Sequence, residues 1–287
     1  MITAAQQGLL VEAAIIMLAV AVVTFVASEL TRNYSQVDRL WSLMPIIYAW
    51  LFAGRGGWDG RLVLMAVLVT AWGLRLTFNF WRRGGYGWPP WTGEEDHRWG
   101  VLRKRPELAS PWRWRLFNLG FISLYQNLLL LLLVTPAVVA WGARGAPLNG
   151  LDGLAAALLA GFLLVETIAD NQQFAFQTEK HRRRALGAPL DGDHAAGFLT
   201  QGLFRYVRHP NFTAEQGIWC AFYLFAVAAT GAWLNWSVVG ALLLILLFQG
   251  STRFTEEITA SKYPGYDAYR RAVPAFLPHP RGRGSPP

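Results

Sequence analysis

The chain has 287 residues, 53% hydrophobic and 15% charged, with a formal net charge of +8 and a mean hydropathy of +0.26. Soluble domains carry about 25% charged residues, so this composition excludes a water-soluble globule, and 14 Trp, 9 Tyr and 17 Phe exclude a disordered chain. The single cysteine, Cys220, rules out an internal disulfide and a cysteine metal cluster.

A helix that crosses a bilayer needs roughly 20 apolar residues. Hydropathy predicts seven spans: 9–29, 41–54, 62–81, 116–141, 151–176, 214–232 and 234–250. The first lacks a basic leading region and a small-residue cleavage site, so it reads as a retained span rather than a signal peptide. The second is short and carries Pro45, so it tilts, breaks or begins inside the preceding loop. Loop 82–115, with Gly84, Gly85, Gly87, Pro89 and Pro90, reads as a structured cytoplasmic loop, and 278–287 as a disordered tail. Segments 30–40, 82–115, 171–212 and 251–287 hold 22 Lys/Arg, against three (Arg55, Arg61, Arg144) in 55–61 and 142–150. Lys and Arg collect in cytoplasmic loops. The expected fold is an all-α integral membrane protein, a seven-transmembrane helix bundle with the N-terminus outside and the C-terminus cytoplasmic. It forms one domain over 1–277 in the cell inner membrane. Of the 26 basic residues 23 are Arg, which suits phosphate groups held by forked hydrogen bonds. Nearly all lie between hydrophobic segments, which argues against nucleic acid.

Charged groups at membrane depth are costly unless paired or placed in a wet cavity, so they are functional candidates. In Asn33–Trp41, Tyr34 offers a phenolic proton, and Asp38 offers one if burial raises its pKa. Asp38 and Arg39 equally suit an interfacial ion pair. Arg75 and Asn79, one turn apart, suit a cavity wall. Helical spacing places Glu166, Asp170, Gln173 and Gln177 on one face, beside Asn171, able to hold ribose hydroxyls or a carboxamide, or to form a polar seam between helices. Arg205, Tyr206, Arg208, His209, Asn211 and Glu215 surround Pro210, a helix-start residue. Arg205 and Arg208 there suit an anion such as a pyrophosphate, or snorkelling at the interface. Farther on, Arg253 pairs with Glu256 or Glu257 or reaches a phosphate, and Tyr263, Tyr266 and Tyr269 suit stacking on a flat ring or an interfacial belt. No Gly-x-Gly-x-x-Gly after a strand, Walker loop or metal-spaced Cys/His pair is present.

Arg208-His-Pro-Asn211-Phe-x-x-Glu215, after Gly-Leu-Phe-x-Tyr and before Lys-Tyr-Pro-x-Tyr, resembles the membrane steroid 5α-reductase family and its bacterial relatives. Ser35-x-Val-Asp38-x-x-Trp41 and Gly93-Glu-Glu-Asp96-x-Arg98-Trp99 also look like those relatives. The resemblance covers most of the chain and is best over 166–277, within a C-terminal module of about 151–277. It implies seven spans, no flavin, and NADPH bound in a cavity opening to the cytoplasm. The implied reaction is NADPH-dependent reduction of a carbon–carbon double bond conjugated to a ketone, typically the Δ4 bond of a 3-oxo-steroid. By position, the resemblance assigns Asp170, Asn211, Glu166 and Glu215 to the cofactor, and more weakly Arg205, Arg208, His209, Arg253, Glu256 and Tyr263. Asn171, Gln173 and Tyr206 join them as neighbours. Asp38 falls near a carboxylate that engages the substrate ketone in the steroid enzymes. The chain departs from those enzymes in carrying Gln36-Val37-Asp38 for Gln-Glu and no Tyr near Phe78–Phe80.

An enone accepts hydride at its β carbon only if charge developing on its oxygen is stabilised. Tyr34 and Asp38 are the expected donors, with Gln36 secondary, and Trp41, Trp72, Phe80 and Trp219 suit either a pocket lining or plain packing. Arg182, Arg183 and Arg184 suit a 2′-phosphate or a solvated run. The expected partners are a small hydrophobic substrate (a steroid or other enone lipid) and the bilayer, with the protein a monomer. The competing reading is a SAM-dependent methyltransferase of the isoprenylcysteine or phospholipid type, using Arg208-His209-Pro210 and Glu215.

Overall fold

A computed structural model of the chain describes residues 2–278; the tail expected to be disordered lies, beyond Pro278, outside the described residues. Eleven helical elements position the site. They are α1 (Ala4–Thr31), α2 (Gln36–Leu40), α3 (Met44–Arg55), α4 (Gly60–Trp81), α5 (His97–Arg103) and α6 (Pro111–Gly142). There follow α7 (Gly150–Ala185), α8 (Gly192–Ala196), α9 (Pro210–Thr230), α10 (Val238–Lys262) and α11 (Tyr266–Ala272). No strand occurs among the described residues.

Local chemistry sets the helix ends. Thr3 caps α1: its hydroxyl accepts from the Gln6 amide while the Gln6 side chain accepts from the Thr3 N–H. Asp59 accepts from the N–H groups of Arg61 and Leu62 to start α4. In α6 the ladder widens to a π-helix over Asn118–Tyr125, and Pro136 interrupts it again.

Six helices among the described residues are long and apolar enough to cross a membrane: α1, α4, α6, α7, α9 and α10. The expected second span, 41–54, becomes α3 after a turn at 41–43. Its 12 residues reach about 18 Å at 1.5 Å each, short of a bilayer core of about 30 Å. Pro45 favours a start there, and Gly57, at φ +68°, supplies the turn after the end. Past the expected end of the fifth span α7 continues to Ala185, so Glu166–Gln177 lies inside a helix.

The chain divides into two compact units, one of Met1–Ala157 with Trp219–Leu244 and one of Leu158–Ile218 with Ile245–Pro287. In the first, glycines let backbones approach closely. A Cβ on Gly73 would lie 2.5 Å from the Ser42 carbonyl, and one on Gly240 would lie 2.3 Å from that of Leu132. Trp72 meets Trp219 edge to face at 4.9 Å, and both are buried in this unit. Arg61 and Asp152, both fully buried, form a two-pronged pair at 2.8 and 2.9 Å. In the second unit, Gly217 leaves room for the Phe162 ring, and Tyr266, Tyr269 and Val273 form a small core with Phe198.

Candidate functional site

In the first unit the two motif segments, Asn33–Trp41 and Gly93–Trp99, fold onto one another. The Tyr34 N–H donates to Glu95 (2.7 Å), Asp96 N–H to the Ser35 hydroxyl (2.9 Å), and the Asn33 amide to the Gly93 carbonyl (2.8 Å). Arg39 is buried and donates to the carbonyls of Gly85 and Gly93. Of the alternatives open in the sequence, Arg39 thus serves as a strut for loop 82–115, and the Trp99 indole N–H, at 3.1 Å, holds Asp38. Burial, with Asp96 nearby, pushes the Asp38 carboxyl above its ordinary value, although hydrogen bonds from Ser35 and Trp99 and the charge of Arg98 oppose this. Tyr34 is buried, edge-on to Trp114 at 5.0 Å and beneath the Arg103 guanidinium at 4.5 Å. The Gln36 amide donates to the Thr31 hydroxyl and the Trp91 carbonyl, so it braces the segment.

In the second unit, α7 and the start of α9 bring Asp170 and Asn211 together, the Asn211 amide donating to the Asp170 carboxylate at 3.3 Å. Glu166, Asp170 and Glu215 are buried, Gln173 is half-buried, and Asn171, Arg205, Tyr206 and Arg253 are exposed. Arg208, His209 and Glu256 also meet, but on each other. Glu256 accepts from Arg208 Nε at 2.6 Å and Nη2 at 3.2 Å, stands 2.8 Å from His209 Nε2, and accepts the Tyr266 hydroxyl at 3.5 Å. Arg208 Nη1 donates to the carbonyls of Arg270 and Val273. The Arg208 and His209 N–H groups pair with the carbonyls of Pro274 and Ala275, so this knot clips segment 270–276 to the start of α9. Of the pairings open to Arg253, the one with Glu256 does not form, because Glu256 belongs to Arg208, and Arg253 is exposed.

Tyr263 lies against Lys180. This buried lysine donates to the Gly197 carbonyl (2.9 Å) and the Tyr263 hydroxyl (3.4 Å), and its ammonium lies 5.2 Å from the centre of the Phe176 ring. Burial raises the Tyr263 hydroxyl, but Lys180 and Arg184 together outweigh it and hold the group below its ordinary value.

A cavity of about 720 Å³ opens in the second unit, bounded by Gln172, Phe176, Glu179 and Arg183 of α7, by His194 of α8, and by Gln201. Of the residues singled out in the sequence only Arg183, from the run read as a 2′-phosphate site or a solvated run, lines it. Its α7 residues follow the same helical spacing as Glu166, Asp170, Gln173 and Gln177, but lie roughly 120° around the helix. The signal that could have found them is the second polar face of α7, Gln172, Phe176, Glu179 and Arg183; the contribution of His194 depends on how the loop after α7 returns.

Residues 24–273 match a family model described as "Protein of unknown function (DUF1295)". The chain belongs to that family. The matched region contains both motif segments of the first unit and the Asp170, Asn211 and Glu256 region of the second. The chain is also 39% identical over 259 residues to the uncharacterized protein C594.04c of Schizosaccharomyces pombe, covering 86% of this chain and 73% of that protein. No solved structure matches.

Proposed function

We propose that this DUF1295 protein is an NADPH-dependent reductase of a hydrophobic enone, a 3-oxo-Δ4-steroid or a similar lipid ketone. The observation that carries this reading is Asp38: a half-buried carboxyl, held by an indole N–H, whose pKa is raised. Such a carboxyl keeps its proton at higher pH than a solvated one and can donate it to a ketone oxygen. Donors at a developing oxyanion contribute roughly 10²–10³-fold to rate. Tyr34, locked between Trp114 and Arg103, is the second donor. The α-carbon proton comes from water.

NADPH, when bound, supplies the hydride. The residues present fit it in part. Asp170 and Asn211 form an acceptor–donor pair suited to ribose hydroxyls or a carboxamide, and exposed Arg205 and Arg253 are free to meet phosphates. Arg208 and Glu256 hold each other and the 270–276 segment, so they position Asn211 through the start of α9 rather than serve a phosphate.

The topology we propose keeps seven crossings, α3 being the short second one entered through α2. The N-terminus then lies outside and the C-terminus in the cytoplasm, in the cell inner membrane, with the cofactor reached from the cytoplasm, as the 22-to-3 basic asymmetry supports.

Detergent-purified protein with NADPH and a 4-en-3-one steroid provides the test, by loss of reduced-nicotinamide absorbance and the product mass. A product heavier by two hydrogens is the expected result. Binding of SAM, with neither turnover nor NADPH binding, would instead support the methyltransferase reading.

A further inference from the structure

The cavity of about 720 Å³ in the second unit is large enough for a small-molecule ligand. Its wall holds one flat feature: the rings of Phe176 and His194 stack with centroids 5.1 Å apart and planes 13° apart. The Lys180 ammonium lies over the Phe176 ring, and both rings of the stack line the cavity. The arch carrying His194 is pinned in place. Arg183 binds Asp191 at 2.6 Å on entry, and Asp193 accepts from the Thr200 N–H and hydroxyl at 2.7 Å each across it. On leaving α8, the Gly197 carbonyl accepts from Lys180. Ligand binding therefore needs little ordering of this loop.

Electrostatics narrows the ligand. Glu179, Asp191 and Asp193 face the cavity against one arginine, Arg183, whose Nε and Nη1 already bind Glu179 and Asp191. A phosphate finds no uncommitted cation here, whereas carboxylates can accept from sugar hydroxyls and the amides of Gln172 and Gln201 can meet a ring edge. We infer that the cavity is a nucleoside site, separate from the residues assigned to NADPH, that takes an adenosine-type moiety without phosphate charge. The ring of the ligand continues the Phe176–His194 stack. Free adenosine and the sulfonium-bearing adenosyl group of SAM share this chemistry.

The test uses the full detergent-purified chain, with equilibrium dialysis of labelled adenosine and photolabelling by 8-azidoadenosine followed by peptide mass mapping. Saturable binding with label on peptides carrying Phe176 or residues 191–202, undiminished by NADPH, is the expected result. Displacement by SAM would name the adenosyl group as the source; its absence would name adenosine. Since a base–aromatic stack contributes about 1–3 kcal/mol, His194→Ala should weaken adenosine at least about fivefold, and His194→Phe should restore it. Competition by NADPH would overturn the separate site, as would label elsewhere, an unaltered His194→Ala affinity or no saturable binding. Enone reduction, assayed apart, decides the reductase reading whatever adenosine does.

Discussion

At the scale of single residues, burial and neighbouring charge give Asp38 and Tyr263 opposite behaviour. Asp38 is raised because its pocket disfavours the anion, so the native state holds the proton more tightly than the unfolded chain does. Stability therefore falls as pH climbs from the unfolded value of about 3.9 through the raised one. Asp38→Asn, which keeps a bond to Trp99, should flatten that slope in thermal midpoints measured across pH. If the protonated carboxyl is the donor, turnover also falls as pH rises through the same value. Asp38→Asn should then lower kcat by about 10²-fold while leaving the Kd for NADPH nearly unchanged; unaltered turnover in both Asp38→Asn and Tyr34→Phe would remove the donor assignment. Tyr263 lies below its ordinary value because Lys180 and Arg184 outweigh its burial, whereas burial pushes Tyr266 and Tyr269 up. An ultraviolet titration should show one early tyrosinate, and Lys180→Met should move it to higher pH.

At the scale of elements, close helix approach and one ion-pair knot carry the load. Alanine at Gly73 or Gly240 would push its Cβ into a neighbouring backbone carbonyl, whereas Gly250 faces open space. Gly73→Ala and Gly240→Ala should each lower stability by about 1–3 kcal/mol. Gly250→Ala should be neutral or stabilising, by up to about 1 kcal/mol of helix propensity; detergent unfolding of the three variants compares them directly. Glu256→Ala leaves Arg208 without its carboxylate in a nearly closed site. The expected loss is about 3–5 kcal/mol, with faster proteolysis after 270 as the local sign that the clip has opened. Helical spacing made the Glu166–Asp170 face legible in the sequence, and the Pro210 start brought Asn211 near it. The Arg208–Glu256 pairing joins residues 48 positions apart, which no local spacing reveals.

At the scale of the whole molecule, the number of crossings depends on α3. With α1, α4, α6, α7, α9 and α10 alone the count is six, which places both termini on one side. A crossing α3 makes seven and separates them. Protease protection of N- and C-terminal tags in sealed membrane vesicles should show opposite exposure; matching exposure would leave α3 as a non-crossing helix. The all-helical membrane class was determined by the sequence itself, because long apolar runs have no other stable form in lipid. So was the clustering of basic residues between those runs. Only the tertiary structure decided that Gly93–Trp99 closes over Asp38, that Arg208 and Glu256 bind each other, and that the α7 face with Phe176 and Arg183 bounds a cavity. Helix periodicity assigns residues to faces of one helix, but the partner each face meets depends on contacts between distant segments.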